Sequence, residues 1–222
     1  MKKRRSFTRR EDLYPDLHKE IALLEQGYRF VAGLDEAGRG AWAGPVVAAA
    51  VILPLDQPDL LTRLAGLRDS KKLTARKRAH YFEVIREVAV AVAAAMAPPA
   101  MVDDINVVKA TQFAMGQALS GLVVAPDYLL LDHLKIPDCD LPQNAFPKAD
   151  NISLTVAAAS VTAKVTRDRL MVELNQKYPG YRFDRHKGYG TQIHQAALLA
   201  LGPCPLHRLS YKPLQAIDKR GA

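Results

Sequence analysis

A chain of 222 residues, 49% of them hydrophobic, can bury a substantial core, which excludes a disordered protein and fits one large domain. The formal charge of +8 is unevenly spread: Lys2, Lys3, Arg4, Arg5, Arg9 and Arg10 lie in the first ten residues without an acid, and the remainder is close to neutral. Two cysteines, Cys139 and Cys204, have no metal-ligand spacing and no disulfide framework, so a reducing compartment is expected.

The basic start leads into polar and acidic residues instead of an apolar segment, so no signal peptide is expected. Such an arm attracts polyanions in a salt-dependent way. The spacing of Leu17, Ile21, Leu23 and Leu24 predicts a helix over 12–26, closed by Gly27. Strands are predicted over 29–36 and 46–53, either side of a Gly-rich turn. A connection over 55–66 holds a short helix, and Thr74 opens a helix to about 87. Residues 88–93 read as a third strand. The apolar run 88–97 is too short to cross a bilayer, so a soluble cytoplasmic protein is expected. Asp103 or Asp104 is expected to cap a helix ending at Gly121. Residues 128–132 form a fourth strand ending on an acid, followed by a loop with Pro137, Pro142 and Pro147.

The longest helix is predicted over 153–178. Leu154, Val161, Val165 and Val172 should face the core, with Ser160, Lys164 and Arg167 on the neighbouring side. A further helix follows over 194–201. Three strands in an antiparallel meander, with a fourth joined by a helical crossover, give an α/β fold with a mixed sheet covered by helices.

Four acids stand out: Asp35, Glu36, Asp132 and Asp150. Asp35, Glu36 and Asp132 end, or sit late in, apolar strands, where an unpartnered carboxylate is costly. Pairing of the fourth strand with the first would bring Asp132 to Asp35. Side chains alternate along a strand, so Glu36 must either reach round the sheet edge or leave regular geometry. Four carboxylates suit a hard cation such as Mg²⁺ or Mn²⁺. Basic clusters at 68–78 and 164–187 add weight to a nucleic-acid substrate. His186, His194 and His207 are expected to be structural or phosphate-facing rather than metal ligands, and Trp42 to pack beside the Gly-rich turn.

These residues carry a family resemblance. Gly33-Leu34-Asp35-Glu36-Ala37-Gly38-Arg39-Gly40 with Ala43-Gly44-Pro45-Val46 resembles the opening signature of ribonuclease HII. The resemblance continues through Asp69-Ser70-Lys71-Lys72-Leu73, Ile105-Asn106, Leu131-Asp132, Lys148-Ala149-Asp150, Ala157-Ala158-Ala159-Ser160, Ala163-Lys164-Val165, Arg167-Asp168, His186-Lys187-Gly188-Tyr189 and His207-Arg208, covering about 28–213. Ala41-Trp42, Ala149 and His133 depart from the commoner family residues without removing an acid.

The resemblance implies a ribonuclease H-like five-stranded mixed sheet flanked by helices, with a helical C-terminal extension. It implies an arm and leading helix over 1–27, a catalytic core over 28–178 and a substrate-contacting region over 179–222. It implies an endonuclease that degrades RNA in RNA–DNA hybrids and cuts 5′ of single ribonucleotides in duplex DNA. Asp35, Glu36, Asp132 and Asp150 take its catalytic and metal positions, with two divalent ions, Mn²⁺ or Mg²⁺. Gly38, Arg39, Gly40 and Tyr189 match its ribose 2′-OH readers. Ser70, Lys71, Lys72, Asn106, Ser160, Lys164 and Arg167 match positions along the nucleic acid. A monomer is expected. The rivals are a non-catalytic duplex-binding module, which leaves four acids near phosphates unexplained, and another nuclease of the same fold.

Overall fold

The computed structural model describes residues 14–218, so the basic residues of 1–10 and the predicted helix start at residue 12 lie outside it. Five strands form one sheet: β1 (Val31–Ala37), β2 (Val46–Ile52), β3 (Ala91–Ala97), β4 (Tyr128–Asp132) and β5 (Gln143–Phe146), in the order β3-β2-β1-β4-β5. The first three make the expected antiparallel meander. β4 runs parallel to β1, and β5 parallel to β4, so the crossover expectation holds. β2 is buried along its length because Val, Ala and Ile pack on both faces.

The helices are α1 (His18–Glu25), α2 (Leu60–Arg63), α3 (Ala75–Val88), α4 (Pro99–Ser120), α5 (Leu154–Lys177), α6 (Phe183–His186), α7 (Gln192–Leu201) and α8 (Lys212–Asp218). One face of the sheet packs on α3 and α5, with Val51, Ile85, Ala157, Ala158 and Val161 in its core. The other packs on α4, with Leu34, Ala48, Ala50, Ala114, Met115, Leu129 and Leu131. A third cluster of Ala43, Met171, Tyr181, Phe183, Leu198 and Leu214 ties the C-terminal helices to the far end of α5.

Several expectations are corrected. The third strand begins at Ala91, because α3 continues through buried Val88 and Ala89 caps it. α4 begins at Pro99, a residue suited to a first helical position because its missing N–H is not needed there. Neither Asp103 nor Asp104 caps it. Asp103 instead accepts from the Leu209 and Ser210 amides. Asn106, at φ 68°, interrupts α4 and caps its second part by accepting from the Val108 and Lys109 amides at 2.9 and 3.2 Å. In α1 the buried face holds Glu20 and Leu23, while Ile21 and Leu24 are exposed. α5 matches its predicted limits, with Ser153 as the N-cap, but Val172 is exposed and Met171 takes the buried position.

Candidate active site

Asp35 and Asp132 meet for a topological reason. β1 and β4 are parallel neighbours paired up to Leu34 and Leu131, so the next residue of each, Asp35 and Asp132, stands at the open C-terminal end. Ligand sites in such sheets form beyond these ends. Asp35 shares a sheet face with Gly33, which lies against α5. Glu36 shares the face of Leu34 and Ala48, turned towards α4. β1 keeps its register with β2 through Ala37, so the strand stays regular and it is the longer Glu36 side chain that reaches round. Arg39 holds it there, Nη1 to Oε1 at 3.2 Å. Asp150 is buried in a 3-10 turn (Ala149–Asn151) just before α5.

The four acids feel one another. Burial raises the Asp35 pKa well above the carboxylate range, and the Glu36, Asp132 and Asp150 charges add to it, against a hydrogen bond from Ser160. Burial also raises Glu36, opposed by Arg39. Asp150 is pushed up to about 6, by burial first and then by Asp69 and Asp132. Three of the carboxylates accept from local donors. Asp35 accepts from the Glu36 amide at 2.7 Å, Asp132 from the Ala149 amide at 2.9 Å, and Asp150 from the Asn151 side chain at 2.7 Å. As they stand, no three His, Cys, Asp or Glu side chains among the described residues close on one point as a ligand set. The donors nevertheless fit a hard divalent cation. All are carboxylate oxygens, their charges are mutually repulsive, and Glu36 Oε2 is buried without a hydrogen-bond partner.

Lys71 faces these acids. Burial lowers its pKa, but attraction to Asp69, Asp35, Asp150 and Glu36 outweighs that and the net shift is upward. The adjacent Lys72 reaches the Asn151 side chain at 2.6 Å. Ser70 and Ser160, both buried, join their hydroxyls at 3.0 Å beside Asp35. Asp69, which the sequence reading left without a role of its own, accepts from the Lys71 amide and so fixes this segment. Its place in the Asp-Ser-Lys-Lys motif was the signal available.

The Gly-rich turn is held from within by two buried arginines. Arg167 donates from Nε to the Pro45 carbonyl at 2.9 Å, from Nη1 to Lys187 at 2.9 Å and from Nη2 to Ala43 at 3.1 Å. The expectation that Arg167 contacts nucleic acid is therefore corrected: its guanidinium is fully buried and spent on backbone. Gly38, at φ 94°, leaves no room for a Cβ, which would stand 2.0 Å from Arg167 Nε. Arg208, which sequence reasoning quoted but gave no role, donates to the carbonyls of Arg39 and Gly44. Gly40 is exposed and Arg39 half-buried. Asn106 lines a second groove of about 510 Å³, together with Tyr211.

An open groove of about 740 Å³ runs along α5; none of the four acids lines it, and Asp168 and Glu173 are the carboxylates on its wall. Arg78, Lys164, Arg169, Arg185, Lys187 and Tyr189 line it. Tyr189 is not a core residue: it is half-buried, with Lys164 Nζ and the Arg167 guanidinium 5.4 and 5.3 Å from its ring centre. Lys164 pairs with Asp168 at 2.6 Å. The histidines are structural, as expected. His194 and His207 share an Nε2–Nε2 hydrogen bond of 3.0 Å, and burial lowers both to about 4, so both are neutral at pH 7. Trp42 packs by the turn, its ring 5.6 Å from that of His194.

A family model of ribonuclease HII matches residues 32–214. The chain belongs to the ribonuclease HII family. It is 50% identical over 193 residues to the ribonuclease HII of Geobacter metallireducens, covering 87% of this chain and 88% of that one. Against that of Chloroflexus aurantiacus it is 47% identical over 205 residues, covering 91% and 95%. Among solved structures it resembles ribonuclease H2 from Pyrococcus horikoshii, at 27% identity and a TM-score of 0.70, covering 86% and 98%. It also resembles the ribonuclease HII of Archaeoglobus fulgidus, solved with PCNA, at 26% identity and a TM-score of 0.67, covering 82% and 95%. As a ribonuclease HII family member the chain is an endoribonuclease acting on RNA–DNA hybrids, a hydrolase of phosphodiester bonds. No helix among the described residues is long and apolar enough to cross a membrane.

Proposed function

We propose that this ribonuclease cuts on the 5′ side of ribonucleotides, both in hybrid strands and at single ribonucleotides in duplex DNA, leaving 3′-hydroxyl and 5′-phosphate ends. Asp35, Glu36, Asp132 and Asp150 would hold two divalent cations, Mg²⁺ or Mn²⁺. The observation that carries this reading is the Asp35–Asp132 pair at the open ends of adjacent parallel strands, beside a buried Glu36 oxygen without a partner. Two divalent ions supply activation of water and stabilisation of the leaving oxygen during in-line displacement.

The chain's own residues set the frame for that chemistry. The sheet fixes Asp35 and Asp132, and Arg39 holds Glu36 at the rim. Asp150, in a short turn, is suited to adjust as substrate enters. Lys71 offers a positive charge to the scissile phosphate from within the acid cluster. Cations along the groove bind phosphates without reading sequence, and Tyr189 presents a ring to the sugar. Backbone groups of Gly38-Arg39-Gly40 approach the 2′-OH, the group that separates RNA from DNA. In this reading residues 28–178 carry the chemistry, 179–222 contact substrate, and the protein works as a cytoplasmic monomer.

The test is cleavage of a DNA duplex carrying one ribonucleotide, with Mg²⁺, Mn²⁺ or chelator, for the wild type and Asp35→Asn. Metal-dependent cutting 5′ of the ribonucleotide, reduced more than about a hundredfold in the variant, is expected. Binding without cutting of this duplex or of a longer hybrid in either metal would favour a binding module instead.

A further inference from the structure

The turn between β1 and β2 is stapled from the C-terminal segment by Arg208. Its Nη1 donates to the Arg39 carbonyl at 2.9 Å, and its Nε and Nη2 donate to the Gly44 carbonyl at 3.0 and 2.8 Å. One guanidinium thus spans both ends of the turn. The Tyr211 hydroxyl donates to the same Arg39 carbonyl and accepts from Arg208 Nη1 at 3.0 Å. Main-chain bonds run alongside: the Arg208 amide to the Trp42 carbonyl and the Gly44 amide to the Leu206 carbonyl, both at 2.8 Å.

Peptide planarity gives this a consequence at the surface. In a trans peptide the C=O and the following N–H point in opposite directions. With the Arg39 carbonyl drawn inward onto buried Arg208, the N–H of Gly40 leaves on the outer side. Gly40 is exposed, and a Cβ built on it would meet nothing within 4 Å. An outward amide in open space can donate to a ribose 2′-oxygen, a contact that a deoxyribose cannot supply.

We infer that Arg208 and Tyr211 are positioning residues for ribose readout: they fix the Arg39–Gly40 peptide so that its N–H faces the substrate. This rests on the reading of Gly38-Arg39-Gly40 as the ribose sensor. The planar fork of Arg208 is required because a lysine ammonium cannot serve two carbonyls in fixed directions. Tyr211 sets the rotation of the peptide by filling the carbonyl's second lone pair.

Tyr211→Phe, Arg208→Lys and Gly40→Pro separate the possibilities. For each, kcat/KM is measured on a duplex with one ribonucleotide, and the inhibition constant on the same duplex with deoxyribose throughout. Tyr211→Phe removes the hydroxyl's two hydrogen bonds, one to the Arg39 carbonyl and one from Arg208, and is expected to lower kcat/KM about two- to tenfold. Arg208→Lys should lower it further. In both, the inhibition constant of the all-deoxy competitor should stay at the wild-type value, because that duplex offers no 2′-OH. Equal weakening of substrate and competitor would mean a merely structural role and would overturn the inference. So would wild-type kcat/KM in Tyr211→Phe while Gly40→Pro, which deletes the N–H itself, loses activity. If Gly40→Pro keeps full discrimination, the turn is not the ribose sensor and the underlying reading fails first. Should Arg208→Lys not fold, Tyr211→Phe decides.

Discussion

Asp35, Glu36 and Asp150 all have raised pKa values in the folded chain, with burial the largest cause in each. The folded state therefore binds more protons than the unfolded state from the ordinary carboxylate range upward, to about 6 for Asp150. Metal-free stability should fall as pH rises through that window. Asp35→Asn removes one charge from the cluster, so it should raise the melting temperature of the metal-free protein at pH 7 by about 2–4 °C for each kcal/mol of repulsion relieved. The difference should shrink as pH falls through the carboxylate range, where the groups become protonated in both states, and reverse when Mg²⁺ is added. Thermal scans with chelator and with metal check this; a variant less stable than wild type at pH 7 without metal would show that repulsion is not stored there. At this scale the four acids were legible because charge inside apolar strands is conspicuous. Glu20 was not: it is fully buried on α1, accepting from the Ser153 hydroxyl at 2.6 Å and the Thr155 amide at 3.0 Å, and nothing in its own sequence surroundings marks it as buried.

The packing of β1 on α5 sets where the acids stand. A Cβ at Gly33 would lie 2.4 Å from the Thr155 carbonyl carbon and 2.6 Å from the Val156 nitrogen, both backbone atoms that cannot swing aside. Gly33→Ala should therefore force the strand and helix apart and destabilise the protein by about 1–3 kcal/mol or more. Because Asp35 lies two residues along, activity should fall with stability. Chemical denaturation and cleavage assays on the same sample test both; a variant with unchanged midpoint would mean that α5 can slide at little cost. The run Ala157-Ala158-Ala159 announced such a close approach, though not to which strand. Helix α5 was legible end to end because its apolar spacing is sustained and Ser153 is a good cap. Strand β5 escaped notice because Gln143–Phe146 is four residues of mixed polarity, an edge strand defined by its neighbour β4.

At the scale of the whole molecule, one groove along α5 collects Arg78 from α3, Lys164 and Arg169 from α5, Arg185 from α6 and Lys187 just after it. Binding to hybrid should therefore weaken steeply with salt, as counterions released from each contacted phosphate are recaptured. Arg185→Ala should reduce the slope of log affinity against log salt by about 1 and weaken ribonucleotide-containing and plain duplexes alike. An unchanged slope would place the duplex elsewhere on the surface. The contrast with Tyr211→Phe is the useful one, since a groove cation should act on every duplex and the staple only on those with a ribose.

The sequence by itself determined the family, the four acids, the meander and its crossover, and the limits of the longest helix. Those features are written locally, in apolar periodicity, in cap and turn residues, and in motifs whose order along the chain carries the information. Only the tertiary structure decided that Glu36 reaches round an unbroken strand and that Arg167 turns inward to three carbonyls. It alone showed Arg208 stapling a turn more than 160 residues away in sequence. An arginine looks the same in sequence whether it meets phosphate or backbone. Its role depends on which unpaired carbonyls the fold leaves buried, and these are fixed only when distant segments pack together.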